Sequence, residues 1–100
     1  MRIVIADDHG IVRSGIRLLL ERQPGLEVVA EAADGIEARD VVVSERPDLA
    51  ILDVKMPGLT GLQATREIKA QVPDTAVLIL SMHDDERYLF EALKAGASGY

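Results

Sequence analysis

The chain has 100 residues, 48% of them hydrophobic, with three aromatics, no cysteine and a formal charge of −6. That length fits one small domain, and an acidic balance with no basic stripe argues against nucleic acid or an anionic membrane as a partner of this segment. The absence of cysteine removes disulfides, thiolate catalysis and cysteine-type zinc sites, and suits a reducing cytoplasm.

The opening run Met1-Arg2-Ile3-Val4-Ile5-Ala6-Asp7 turns acidic too soon for a secretory leader. No apolar stretch approaches membrane-spanning length, so a cytoplasmic domain is expected. Arg2–Ala6 is short, branched and aliphatic, as a buried parallel strand should be. From Gly10 to Arg22 the apolar residues Val12, Ile16, Leu19 and Leu20 recur at helical spacing, and Gln23-Pro24-Gly25 ends the run. Leu26–Ala30 reads as a second strand, its Glu27 and the following Glu31 pointing to a sheet edge or strand end.

Asp34 and Glu37 form a capping pair for a helix to about Glu45, which Arg46-Pro47 breaks. Asp48–Leu52 is the third strand, stopping at Asp53. After the loop Met56-Pro57-Gly58, Thr60–Gln71 is helical with Leu62, Thr65 and Ile68 inward. Thr75–Leu80 is the most apolar strand and is expected to be buried. Asp84-Asp85-Glu86 opens a helix that runs through Leu89, Phe90 and Leu93 to a stop at Gly96, and Gly99-Tyr100 begins a fifth strand.

Asp7 and Asp8 follow the first strand and Asp53 follows the third. In an open α/β sheet, ligands bind in the crevice beyond the carboxyl ends of the strands. Three acids gathered there repel one another and resist ionising. A hard divalent cation with oxygen ligands relieves that cost, which points to Mg²⁺ and phosphoryl chemistry.

In order along the chain, Asp7-Asp8, Asp53, Met56-Pro57 with Gly58 and Gly61, Ser81, and the run Ala92-Leu93-Lys94-Ala95-Gly96-Ala97-Ser98-Gly99-Tyr100 make a specific combination. The chain resembles the receiver domain of two-component response regulators over its whole length. The Ser81-Met82-His83-Asp84 wording is most similar to the subfamily whose receivers precede a helix-turn-helix DNA-binding domain. The resemblance implies a flavodoxin-like, doubly wound parallel sheet in the order 2-1-3-4-5. Residues 1–100 would then be a receiver incomplete at its C-terminus, truncated at the start of the fifth strand and without its output domain.

The resemblance makes Asp53 the phospho-acceptor and a sensor histidine kinase the donor, with output to transcription. It makes Asp8 a direct Mg²⁺ ligand, Asp7 a ligand through water, and the backbone carbonyl of Lys55 a further ligand. Ser81 would contact the phosphate, and Tyr100 would change rotamer with the switch. Lys55 and His83 border the site as candidates for tuning phosphate hydrolysis, unless both are merely solvated. The domain would assist its own phosphorylation without being a metabolic enzyme. A lysine that the family carries near the end of the fifth strand is not in this sequence.

Blander and rival readings exist for several of these residues. Asp8 could cap the next helix, Ser81 could cap backbone at a strand end, and His9 could be a solvated loop residue. The Gly10–Gly15 spacing lacks the Lys-Ser/Thr of a P-loop, and no dinucleotide glycine motif follows the first strand. Asp7-x-His9 lacks the glycine of a cobalamin motif, since Val12 stands there. A Mg²⁺-dependent phosphohydrolase with an Asp nucleophile is one rival, although Lys55 occupies the place of its general acid. A phosphorylation-independent interaction domain is another. An unpaired fourth-strand edge would favour self-association through Val77, Ile79 and Tyr100.

Overall fold

The computed structural model describes residues 1–80. Strands and helices alternate: β1 (Arg2–Ala6), α1 (Gly10–Glu21), β2 (Glu27–Ala32), α2 (Gly35–Glu45), β3 (Leu49–Asp53), α3 (Gly61–Gln71) and β4 (Ala76–Leu80). All strand pairings are parallel, in the order β2-β1-β3-β4, the first four places of the expected arrangement. The expected Asp84–Ala95 helix and the fifth strand at Gly99-Tyr100 lie outside the described residues.

β1 pairs on both sides, with β2 and with β3. Ile3, Val4, Ile5 and Ala6 are all buried, which is why the strand reads as a continuous apolar run and not as an alternation. Successive residues feed two cores. Val4, Ala6, Ala50, Leu52, Val77 and Ile79 meet Ala38 and Val42 of α2 and Ala64 and Ile68 of α3. Ile3, Ile5, Val28 and Ile51 form the opposite core, against Ile16 and Leu20 of α1. Helices therefore cover both faces of the sheet, as a doubly wound fold requires.

Several boundaries differ from the sequence reading. β2 begins at Glu27 and extends to Ala32, which pairs with Ala6. Glu31 sits inside the strand because two arginines of α1 hold its carboxylate: Arg17 Nη1 lies 2.6 Å from Oε2 and Arg13 Nε 3.2 Å from Oε1. The edge position inferred from Glu27 and Glu31 holds among the described residues. β3 includes Asp53, which pairs with Leu80 of β4. On α1, Ile16 and Leu20 face the sheet, whereas Val12 and Leu19 are exposed. β4 is mixed: Val77 and Ile79 are fully buried, while Leu80 is exposed.

Local capping fixes the helix ends. The Asp34 carboxylate accepts the Glu37 N–H at 2.7 Å, and α2 ends where Arg46 takes a left-handed conformation (φ 47°) ahead of Pro47. Thr60 and Gln63 cap α3 reciprocally, so Thr60 stands just before the helix and not inside it. Among the described residues no helix is long and apolar enough to cross a membrane.

Candidate functional site

The carboxyl ends of β1 and β3 are neighbours in the sheet, and this alone brings their terminal acids together. Asp7 follows β1 and is buried. Its backbone N–H donates to the Ala32 carbonyl at 3.1 Å, and its side chain accepts the His9 N–H at 2.7 Å. Asp8 is the more exposed partner. Asp53, the last residue of β3, is half-buried. Ligand atoms of Asp7, Asp8, Asp53 and His9 all lie within 4.8 Å of one another.

The electrostatics follow from that crowding. Burial, then the charge of Asp7 and in smaller measure that of Asp8, pushes the Asp53 carboxyl above the usual carboxylate range. Backbone hydrogen bonds from Lys55 and Val54 act against this shift by favouring the ionised form. The His9 imidazole hydrogen-bonds Asp7 and faces Asp8, with Nδ1 at 3.1 and 2.9 Å from their Oδ1 atoms, and its pKa is raised. Three hard oxygen donors converging on one point form an acidic cluster of the kind that holds a divalent cation.

The turn after β3 is fixed by close backbone packing. A Cβ at Gly61 would stand 2.1 Å from the Asp53 carbonyl oxygen, and the Gly61 N–H donates to the Val54 carbonyl at 2.8 Å. The first residue of α3 thus rests directly on the backbone of Asp53. Gly35 of α2 has a similar contact, since a Cβ there would fall 1.9 Å from the Leu59 carbonyl oxygen. Met56 lies in the expected loop after β3, and its side chain is buried in the α2/α3 core.

Of the residues singled out from sequence, Asp7, Asp8 and Asp53 come together. Lys55 is exposed and adjoins Asp53 through the backbone. Ser81, His83 and Tyr100 lie outside the described residues. Sequence reasoning underestimated His9, which reaches the cluster, and missed Arg13, whose guanidinium donates to the Asp7 carbonyl. The signal for Arg13 was its place one helical turn after His9.

The model of the response regulator receiver domain matches residues 3–100. The chain belongs to the response regulator receiver domain family. The oxygen regulatory protein NreC of Staphylococcus epidermidis is 56% identical over 101 residues, which take in the whole of this chain and 46% of that protein. This receiver therefore spans about half the length of the curated relatives it matches. A LuxR-family two-component response regulator from Aurantimonas sp. SI85-9A1 superposes with a TM-score of 0.95 at 45% identity, covering 99% of this chain and 71% of that one. The isolated receiver of RcsB from Salmonella enterica serovar Typhimurium, solved with the phosphomimetic BeF₃⁻, gives 0.90 at 30% identity, covering 99% and 74%.

Proposed function

We propose that the domain is a phosphorylation switch in which Asp53 accepts a phosphoryl group from the phosphohistidine of a sensor histidine kinase. One observation carries this reading: a half-buried carboxylate at the end of β3, raised in pKa by burial and by Asp7, with two further carboxylates within 4.8 Å. An Asp53 oxygen attacks phosphorus and forms an acyl phosphate. The bond from phosphorus to the donor's imidazole nitrogen breaks, and the departing imidazole keeps the electron pair and takes a proton.

The acidic donor set suits Mg²⁺, which Asp8, Asp53 and the Lys55 carbonyl would hold directly and Asp7 through a water. When bound, that ion neutralises the clustered charge and draws charge from the transferring group. The chain's own residues do the positioning. The N–H groups of Lys55 and Val54 orient the Asp53 carboxylate, and Gly61 seats its backbone. Two residues beyond the nucleophile, where a phosphohydrolase would keep a general-acid Asp, stands the exposed Lys55.

Ser81 then donates its hydroxyl to a phosphoryl oxygen, Tyr100 follows the resulting movement, and Lys55 and His83 tune the phosphate's lifetime. The remaining half of the relatives' length would hold a helix-turn-helix output that regulates transcription in the cytoplasm. The test is mass analysis after incubation with acetyl phosphate and Mg²⁺. The parent chain should gain one phosphoryl group and Asp53→Asn none. Undiminished labelling of Asp53→Asn would overturn the assignment.

A further inference from the structure

We propose that Arg13 is a positioning residue of the acidic site, holding the Asp7–Asp8 turn level with Asp53 by way of the Asp7 backbone carbonyl. The turn between β1 and α1 is short, and α1 contributes no fully buried side chain that would anchor it. Mutual repulsion pushes Asp7 and Asp8 away from Asp53. Something must oppose that force, and the backbone of Asp7 is gripped on both sides.

Its N–H is held by the Ala32 carbonyl of β2. Its C=O accepts from Arg13 Nη1, while Arg13 Nε bonds Glu31 Oε1. The Arg13 N–H in turn donates to the His9 carbonyl at 3.0 Å, closing the first turn of α1 over the same loop. A planar guanidinium can serve a carbonyl and a carboxylate at once, which an ammonium on a single nitrogen does poorly. Glu31 on the edge strand thereby aims Arg13, and Arg13 fixes the acids. Loss of an outer partner that orients a metal site typically costs about 10–100-fold in metal affinity.

Arg17 supplies an internal control. It shares Glu31, through Oε2, and also pairs with Glu21, yet no bond joins it to Asp7. Both arginines hold β2 against α1, but only Arg13 continues to the site.

The role rests on the cation reading above, and the experiment separates the two. Mg²⁺ binding is measured by calorimetry on the full chain, alongside metal-free melting, for the parent, Arg13→Gln, Arg13→Lys, Arg17→Gln and Glu31→Gln. Arg13→Gln should weaken Mg²⁺ binding about tenfold, whereas Arg17→Gln should stay within about twofold of the parent. Both should lower the metal-free Tm, because both release Glu31. Arg13→Lys, which keeps the charge and loses the fork, should fall between, and it decides the matter if Arg13→Gln fails to fold. Glu31→Gln should weaken Mg²⁺ binding less than Arg13→Gln does. Equal Mg²⁺ affinities for the Arg13 and Arg17 variants would overturn the role of Arg13 while leaving the cation site intact. A parent chain that binds no Mg²⁺ would overturn the cation reading and this role together.

Discussion

The two faces of the sheet are built from the same strands and are covered in different ways. Beneath α2 and α3, small residues (Ala38, Ala64, Gly35 and Gly61) let the helices approach closely, and Val42, Ile68, Leu52, Val77 and Ile79 are wholly buried. On the other face, the described residues offer α1 alone, with Ile16 and Leu20 half-buried and Ile11, Leu18 and Leu19 exposed. The difference reaches the site. Asp53 is fixed by backbone packing from α3, whereas Asp7 is held by the hydrogen bond its N–H donates to the Ala32 carbonyl of β2 and the one its carbonyl accepts from Arg13 of α1. One half of the acidic cluster is therefore set by steric contact, the other by hydrogen bonds to the backbone of Asp7.

Truncation on the two faces should separate most clearly. Ile68→Ala leaves a cavity in the α2/α3 core and should cost about 3–4 kcal/mol of unfolding free energy. Leu19→Ala, on the outer side of α1, should change it by about 0.5 kcal/mol or less. Urea denaturation measures both, and equal losses would break the contrast. Next in size is Gly61→Ala, whose new Cβ would collide with the Asp53 carbonyl. Overpacking of this kind should cost about 1–3 kcal/mol, and phosphoryl labelling should fall further than stability predicts because the backbone of the proposed acceptor Asp53 is displaced. A variant with normal labelling would show that Asp53 tolerates the shift.

The smallest effect is in pH. The folded Asp53 binds its proton more tightly than an ordinary carboxyl does, first through burial and then through Asp7. Its contribution to stability is complete below the ordinary carboxylate range and disappears as pH rises through the elevated pKa. The metal-free parent should therefore lose Tm relative to Asp53→Asn across that window. Saturating Mg²⁺ should abolish the difference, since binding to the native state favours the ionised cluster. Parallel Tm profiles for the two chains without metal would show that Asp53 pays no electrostatic penalty.

Sequence pattern carried most of the sheet, because buried parallel strands are short aliphatic runs and those here are bounded by glycine, proline and acids. It carried the acidic cluster as well, since adjacent strand ends bring Asp7 and Asp53 together whatever the side chains do. It failed where the deciding contact lies between elements. The end of β2 depends on Arg13 and Arg17 reaching Glu31 from α1, which no periodicity within β2 can register. The outward turn of Val12 and Leu19 depends on which side of α1 meets the sheet. The steric role of Gly61 is visible only once α3 is seated against β3.

β1 is the first element in the chain, and it lies between β2 and β3 in the sheet. Its pairing partner Leu49, opposite Ile3, arrives only after α1, β2 and α2 have been laid down. Non-local parallel pairing of this kind is slow, because the closure entropy of the intervening chain is spent before any contact rewards it. During synthesis, Asp7 and Asp8 accordingly remain apart from Asp53 until most of the described chain exists. The acids that crowd one another in the finished site are brought together only by the step that docks β3 against β1.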